Sequence, residues 1–287
     1  MERYYRFAGI EVAVCIGDGW QYDEEGALTP FSAEHVTDPN FVHFSIVDEL
    51  SAPCGDLVAC GRDFLAYLDG EDRISYLFAE DGEWRNAEFR ILHRGKEHDV
   101  QTRIKTGKIT HKMVLNALSA EHFIARNHGF LFHCAYIDHN GKAILFTAPS
   151  ETGKSTQAEL WNRYRGAEII NGDRAVIRLT NGTLVAEGIP FAGSSRYCKN
   201  RSLPIEAVVY LAQAPRTSIR RMTGYEAFSR IWEGICVNMW DRDDVELVSA
   251  VAQKVADKIP IYYLPCTPDE EAVAVLEEIL RKQVHLR

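Results

Sequence analysis

The chain has 287 residues, of which 46% are hydrophobic and 25% charged, and its formal net charge is −9. This ordinary globular composition excludes disorder, collagen and low complexity as the main structure. Residues 1–115 hold 21 acidic and 12 basic side chains, whereas the remainder holds 20 of each. Phosphate repulsion therefore disfavours nucleic acid as a partner of the first part, although a neutral second part can still bind a nucleotide through a local cluster of donors.

Targeting and cysteine patterns favour a cytosolic protein. No apolar run reaches the roughly 18–20 residues that cross a bilayer, and the first ten residues lack the apolar stretch and cleavage site of a signal peptide. The seven cysteines include no Cys-x-x-Cys pair, so we expect buried, reduced thiols and no disulfide framework. The spacing of His93 and His98 fits no common pattern of metal ligands.

Short β-type runs separated by Gly, Pro, Asp and Asn fill the sequence from Tyr4 to about Lys105. This spacing predicts a meander of antiparallel strands without a catalytic constellation. The short β-type runs give way to alternating helix and strand patterns, and the excess of acidic residues ends. These two changes place a domain boundary near residue 108. We therefore predict a β-rich N-terminal domain over residues 1–108 and a second domain over 109–287. The predicted strands are 10–16, 41–47, 57–60, 74–78 and 88–92.

The second domain begins with a predicted helix over residues 111–127, which Gly129 ends. Two apolar runs follow, 130–137 and 143–148, and the pair Asn140-Gly141 between them predicts a hairpin. Three further helices have apolar faces typical of packing elements, and a short strand, 261–264, precedes the last one. The predicted helix starts are Thr223 with Glu226, Asp243, and Thr267 with Glu270, the first and last of which match the capping box.

The segment from Ala148 to Thr156 matches the phosphate-binding pattern G-x-x-x-x-G-K-[ST], except that Ala148 replaces the first glycine. An apolar strand precedes it and a stretch able to form a helix follows, so successive N–H groups can cradle a triphosphate at a helix N-terminus. Lys154 would reach the β- and γ-phosphates, and the Ser155 hydroxyl would hold Mg²⁺. A plain strand–turn–helix is the alternative interpretation. The predicted nucleotide-binding residues are Ser150, Glu151, Thr152, Gly153, Lys154, Ser155 and Thr156.

Two more residues are candidates for chemistry. Asp173 lies 19 residues after Lys154, at the end of a short apolar strand, and is either a metal ligand or a turn residue after Asn171-Gly172. His133 opens the strand before the hairpin and is either a site residue or a core histidine. The sequence alone does not orient either side chain.

Together, residues 133–138, the loop 150–156 and Asn171-Gly172-Asp173 resemble the catalytic core of the HPr serine kinase/phosphorylase family. They look most like its diverged bacterial relatives of the phosphoenolpyruvate-carboxykinase-like nucleotide-binding fold. The resemblance covers residues 110–215 and implies an α/β (α+β) fold, a mixed sheet with a P-loop, beside the N-terminal β-rich domain. It also implies ATP and Mg²⁺ as ligands.

The chain departs from the family at three positions. Arg174 stands where the family has a second Asp, Thr156 where it has a Glu, and Ala148 where it has a Gly. The first departure removes a carboxylate that would share metal binding and proton acceptance with Asp173. The other two fit a relative that kept ATP chemistry without the phosphorylase activity. The small-residue loop 188–195 is either a lid or a plain turn, and Arg174, Arg196 and Arg201 are either anion contacts or surface residues.

The implied activity is transfer of the γ-phosphoryl group from ATP to a serine-type hydroxyl of a small protein, peptide or metabolite. His133, Lys154 and Asp173 would be the catalytic residues, and Ser155 and Asp173 would hold the metal. The alternative is a catalytically weak ATP-binding module that regulates a protein partner, which the missing second Asp favours. Carboxykinase chemistry is disfavoured because a second His/Lys metal set is missing. No nucleic-acid or membrane partner is expected, and a homo-oligomer is left open.

Overall fold

The computed structural model describes residues 2–78, 83–191, 193 and 197–284, except for the side chains of 283 and 284. The chain divides into two compact units, Met1–Phe123 and Ile124–Arg287, which are described separately below. Several β-sheets and helices make up a mixed α/β structure, which confirms the mixed α/β class of the predicted fold. The HPr-kinase-like sheet with a P-loop stays a prediction. The domain boundary predicted at residue 108 stays a prediction.

The first unit consists mainly of short strands. Within its described residues, nine strands form one sheet in the order β4-β1-β2-β5-β10-β9-β8-β7-β6, and β3 pairs with β11. One helix, α1, packs against β5, β9 and β10. The elements are β1 (Glu2–Phe7), β2 (Ile10–Ile16), β3 (Trp20–Tyr22), β4 (Ser32–Ala33), β5 (Asn40–Ile46), β6 (Asp56–Cys60), β7 (Phe64–Asp69), β8 (Asp72–Leu77), β9 (Phe89–Arg94), β10 (Glu97–Thr102), β11 (Gly107–Ile109) and α1 (His111–Leu118).

The predicted antiparallel meander is correct from β6 to β10, where each strand pairs antiparallel with the next. It is wrong around β5, which runs parallel to both β2 and β10. Parallel neighbours need a long connection, and the segments between these strands are long enough to provide one. Alternating apolar residues predict a strand but carry no information about its direction.

The predicted helix over 111–127 is two helices, α1 and α2 (Ala120–Arg126), the second of which crosses the division between the units. Thr110 caps α1 by accepting a hydrogen bond from the Met113 N–H at 3.3 Å. Ser119 breaks the helix because it adopts a left-handed conformation, with φ 50° and ψ 57°. Gly129 does not end the helix but begins the next strand. The apolar pattern continues across Ser119, so the pattern does not reveal the break between the two helices.

In the second unit, the described strands form one sheet of ten. Its main path is β15-β13-β14-β18-β17-β16-β12-β20, and β21 joins it by pairing with β18 and β19. The elements are β12 (Gly129–His133), β13 (Ala135–His139), β14 (Lys142–Thr147), α3 (Lys154–Arg165), β15 (Glu168–Asn171), β16 (Arg174–Thr180), β17 (Thr183–Glu187), β18 (Ser202–Gln213), β19 (Arg220–Met222), α4 (Gly224–Trp232), β20 (Ile235–Cys236), α5 (Arg242–Lys258), β21 (Ile261–Cys266) and α6 (Glu270–Val284).

The predicted hairpin is confirmed for β13 and β14, which pair antiparallel around Asn140 and Gly141, with φ 55° and 79°. The apolar run 130–137, however, is not one strand. Its first half is β12, which pairs with β16 and β20, and its second half is β13. Within the run 130–137 every residue except His133 is buried, and no Gly, Pro, Asn or Asp marks the change of partner.

Helices cover both faces of this sheet. Ile144 and Phe146 of β14 pack in one apolar cluster with residues of α3 and α6. The alternate residues, Ala143 and Leu145, pack in a second cluster with residues of α4 and α5. β14, β18 and β21 run parallel to one another, so their carboxyl ends lie at one edge of the sheet. In open α/β sheets, that edge is where ligands bind.

Three helix starts differ from the prediction in their capping. Thr223 is the N-cap of α4 but forms no capping hydrogen bond with the described residues, and Glu226 pairs with Arg220 instead. α5 starts after Asp241, whose carboxylate accepts the N–H of Asp244 at 3.1 Å. α6 starts at Glu270, and the N–H of Glu271 donates to Asp269 at 3.0 Å. The cap of α5 is therefore Asp241 and not the predicted Asp243, and at α6 Asp269 replaces the predicted Thr267.

All seven cysteines are free thiols, as predicted. The expectation that they are buried is correct for Cys134 but wrong for Cys54 and Cys60, which are exposed, and the other four are partly exposed. None of the helices in the described part of the chain combines the length and apolar character needed to cross a bilayer.

Candidate functional site

The loop 148–153 joins the carboxyl end of β14 to the N-terminus of α3. Lys154, the first residue of α3, is 7% exposed, and its ammonium donates to the carbonyls of Ala148 at 3.1 Å and Pro149 at 3.2 Å. Burial lowers the pKa of Lys154, while the charge of Asp173 opposes that change. The lysine thus folds back over the loop and stays within electrostatic range of the candidate carboxylate.

The loop backbone contains two residues with positive φ. Gly153 is the N-cap of α3 with φ 113°, a value that side chains rarely allow, and Glu151 has φ 63°. Ala148 is not among the residues with positive φ, so a methyl group at this position causes no backbone strain. This explains how the loop keeps its shape without the first glycine of the pattern.

Ser155 links the loop to the turn that carries Asp173. Its hydroxyl donates to the carbonyl of Gly172 at 3.1 Å. In the same turn, the carbonyl of Asp173 accepts the N–H of Cys134 at 3.0 Å, which holds the turn against the end of β12. The structure therefore brings the loop, Asp173 and His133 into one region.

The Asp173 carboxylate lies next to a histidine and an arginine. Its Oδ1 is 3.5 Å from Nε2 of His133, and its Oδ2 is 3.4 Å from Nε of Arg174. His133 lowers the pKa of the Asp173 carboxyl most, burial opposes the change, and Arg174 and Lys154 lower the pKa further. Asp173 is therefore held as a carboxylate.

Asn171 fixes the geometry of this turn and was not predicted as a site residue. Its buried side chain accepts the N–H groups of Asp173 at 2.9 Å and Arg174 at 3.0 Å. Its amide nitrogen donates to the carbonyl of Phe191 at 2.8 Å. The sequence did contain a signal, because an asparagine before glycine readily bonds to the backbone two residues on.

The loop 188–195 is described only in part: Ala192, Ser194 and Ser195 lie outside the described residues, as does the candidate anion contact Arg196. Gly193 is described and lies close to the site, since a Cβ on it would be 2.8 Å from Cβ of Asp173. The two alternatives for this loop, a lid and a plain turn, stay predictions. Arg201, another candidate anion contact, instead pairs with Asp138 at 2.9 Å.

A cavity of about 630 Å³ lies beside the loop, at the carboxyl ends of β18 and β21. Its walls include Thr156 and Gln157 of α3, Gln213 at the end of β18, and Thr267 after β21. Gln157 is 2% exposed, and its amide nitrogen has no hydrogen-bond partner among the described residues. Of these residues the sequence predicted only Thr156 as a binding residue, because three distant segments form the cavity.

The donors at this site suit Mg²⁺ with a nucleotide. Mg²⁺ prefers oxygen ligands and is usually bound through one or two protein groups together with substrate phosphates and waters. Ser155 and Asp173 supply a hydroxyl and a carboxylate on the two sides of the Ser155–Gly172 contact. The chemistry of these residues therefore fits the metal that the sequence suggested.

Comparison with protein-family models and with curated protein sequences finds no match. Among solved structures, the chain is similar to the Hpr(Ser) kinase/phosphatase from Coxiella burnetii, with 13% sequence identity and a TM-score of 0.30. The match covers 54% of this chain and 96% of that chain. This is a distant structural relation.

Proposed function

We propose that the protein binds ATP with Mg²⁺ and transfers the γ-phosphoryl group to a serine-type hydroxyl of a small protein, peptide or metabolite. One observation carries the proposal. The loop that bears Lys154 and Ser155 at a helix N-terminus is bonded, through Ser155 and Gly172, to the turn that bears Asp173 beside His133. A phosphate-binding element and a carboxylate suited to metal and proton chemistry are thereby adjacent.

The loop residues 150–156 bind the phosphates in this proposal. Their N–H groups and the N-terminus of α3 favour negative charge. The ammonium of Lys154 leaves the carbonyls of Ala148 and Pro149 and donates to the β- and γ-phosphates. The neighbouring cavity of about 630 Å³ has the size of a small-molecule site and receives the rest of the nucleotide.

Transfer then depends on three side chains. Lys154 offsets the negative charge on the phosphoryl group, and Ser155 and Asp173 hold Mg²⁺. The metal, when bound, neutralises the charge that develops on the transferring group. Asp173 accepts the proton of the acceptor hydroxyl, and His133 positions that carboxylate.

A second candidate is a catalytically weak ATP-binding module that regulates a protein partner. Arg174 favours it, because this cation is only 3.4 Å from the carboxylate of Asp173. If Arg174 held Asp173 in an ion pair, this carboxylate would not be free to accept the hydroxyl proton.

Asp173→Asn distinguishes the two candidates. A group needed mainly in the transition state contributes to transfer more than to ground-state binding. We therefore expect ATP affinity to stay within a few fold, while ADP formation in the presence of a cell extract falls at least about a hundredfold. His133→Ala should reduce transfer less, because its role is positioning.

Asp257→Asn is the matched control, since Asp257 is exposed on α5, and it should behave as the unaltered protein. Full transfer by Asp173→Asn would contradict the role of Asp173. ATP binding without any extract-dependent ADP formation in the unaltered protein would favour the regulatory module.

A further inference from the structure

Arg174 occupies a defined position beside the candidate reaction centre. Its guanidinium carbon lies 4.0 Å from the centre of the Phe191 ring, and its Nε lies 3.4 Å from Oδ2 of Asp173. Its N–H is fixed by Asn171 at 3.0 Å. Stacking on an aromatic ring restricts a guanidinium to a plane and directs its N–H groups toward the rim of that plane.

The hydrogen bonding of this guanidinium is incomplete. The Nε atom of Arg174 is buried, and it has no hydrogen-bond partner among the described residues, because the approach to Asp173 is too long and poorly directed. A buried N–H donor without a well-placed acceptor is unfavourable, and the partly exposed side chain leaves room for a ligand to approach. An anion from a ligand would complete the arrangement.

The position of Arg174 points to the acceptor more than to the nucleotide. Ser155 contacts the chain at Gly172, Asp173 follows, and Arg174 comes next. Arg174 also lies opposite His133 in the ladder between β12 and β16, so these two side chains share a face of the sheet. The arginine therefore lies next to the proposed proton acceptor, Asp173, and on the same face of the sheet as His133.

We propose that Arg174 binds a carboxylate or phosphate group of the phosphoryl acceptor, which is therefore a small hydroxy compound with an anionic group near the reacting hydroxyl. The inference rests on the proposed function and names its substrate class. In the reaction, the acceptor oxygen forms a bond to the γ-phosphorus, the bond from that phosphorus to the bridging oxygen of ADP breaks, and the hydroxyl proton passes to Asp173.

In this role Arg174 does not keep Asp173 in an ion pair that prevents the carboxylate from accepting a proton. An anion bound to Arg174 draws the guanidinium charge toward the acceptor, and the carboxylate remains free for the metal and the proton. A serine within a peptide lacks such an anion on its own backbone, because both neighbouring groups are neutral amides. The arginine thus selects against a plain peptide hydroxyl.

The test is calorimetric titration of the full chain, saturated with Mg²⁺ and a non-hydrolysable ATP analogue. The probes are glycerate and glycerol phosphate, which carry a carboxylate and a phosphate, with glyceramide and glycerol as neutral counterparts. We expect at least one anionic probe to bind in the millimolar range or tighter, and its affinity to fall at least about tenfold in Arg174→Gln. The two anionic probes show which anion the site prefers.

Two further variants control the result. Arg163→Gln removes an exposed arginine of α3 and should leave probe affinity unchanged. Arg174→Lys keeps the charge without the planar fork and should retain part of the affinity, with melting curves recorded for each variant to verify folding. Equal binding of the neutral probes, an unchanged affinity in Arg174→Gln, or no binding of either anionic probe would overturn the inference.

Titration of the nucleotide analogue alone separates this inference from the proposed function. If the analogue does not bind, the proposed function fails and the inference fails with it. If the analogue binds equally to the unaltered protein and to Arg174→Gln while the anionic probes do not respond to the variant, the inference alone fails.

Discussion

Gly153 is the residue on which the shape of the proposed phosphate-binding loop depends most directly. Its φ of 113° lies where residues with a Cβ are strained, yet a Cβ there would meet no atom within 4 Å. Gly153→Ala therefore acts through the backbone and not through a steric clash. We expect it to reorient the loop N–H groups and to weaken binding of an ATP analogue at least about tenfold, and to lower stability by about 1–2 kcal/mol.

Gly166 provides a matched control for this substitution. It ends the same helix with φ 66°, and a Cβ there would also meet no atom within 4 Å. Gly166→Ala should lower the free energy of unfolding by about 1 kcal/mol but leave nucleotide affinity unchanged. If calorimetry showed equal losses of nucleotide affinity in Gly153→Ala and Gly166→Ala, the loss could not be attributed to the conformation of the loop at Gly153.

Residues close together in the sequence could be assigned to the candidate site without a structure. Lys154 and Ser155 belong to a local sequence pattern, and one strand with the helix that follows it is enough to place both residues. The proximity of His133 and Asp173 could be suggested only by resemblance, because it depends on the pairing of β12 with β16. The role of Asn171 was missed although its signal is local, since its side chain accepts the N–H groups two and three residues on. The closeness of Gly193 to Asp173, in contrast, depends on contacts between segments.

At the scale of elements, periodicity predicted where helices and strands occur better than where they break. The predicted helix over 111–127 and the predicted strand over 130–137 are each two elements. In both cases an apolar pattern continues across the break, at Ser119 in the first and at Cys134 in the second. The missed parallel pairs around β5 have a different cause, since strand direction depends on how the connections run.

Ser119 gives a test of the helix break. A serine in the left-handed region carries a backbone cost that glycine avoids. We expect Ser119→Gly to raise the free energy of unfolding by up to about 1 kcal/mol, measured by urea denaturation. Ser119→Ala, which keeps a Cβ, should change it little. If Ser119→Gly instead lowered the free energy of unfolding as much as a glycine placed inside a helix does, this result would contradict a helix break at Ser119.

At the scale of the whole molecule, a buried histidine pair makes stability depend on pH. His93 and His98 lie opposite each other on β9 and β10, with 3.1 Å between their Nδ1 atoms. Burial lowers the pKa of His98 to about 4, with His122 and His43 adding to the shift, and burial also lowers the pKa of His93. Both rings are therefore neutral in the folded protein.

The sign of the pH effect follows from this depression of the pKa. The unfolded chain protonates its histidines below about pH 6.5, whereas folded His98 does so only near pH 4, so acid favours unfolding over that interval. From His98 alone we expect the free energy of unfolding to fall by about 2 kcal/mol between about pH 7 and about pH 5. Urea titrations of the full chain at the two pH values measure this loss.

His98→Gln should reduce the acid-dependent loss, because glutamine does not take up a proton. His35 is exposed, so His35→Gln should leave the loss as it is in the unaltered protein. An identical loss in the His98→Gln variant would show that other groups determine the acid sensitivity.

The central claim is that the loop 150–156 binds ATP with Mg²⁺, and its most direct test is calorimetric titration of a non-hydrolysable ATP analogue into the unaltered protein and into Lys154→Ala. Charge-assisted contacts of a lysine are each worth roughly 1.5–3 kcal/mol, so affinity should fall at least about tenfold. Lys254→Ala, which removes an exposed lysine of α5, should bind as the unaltered protein does. Absence of binding, or equal affinity in Lys154→Ala and the unaltered protein, would contradict the claim.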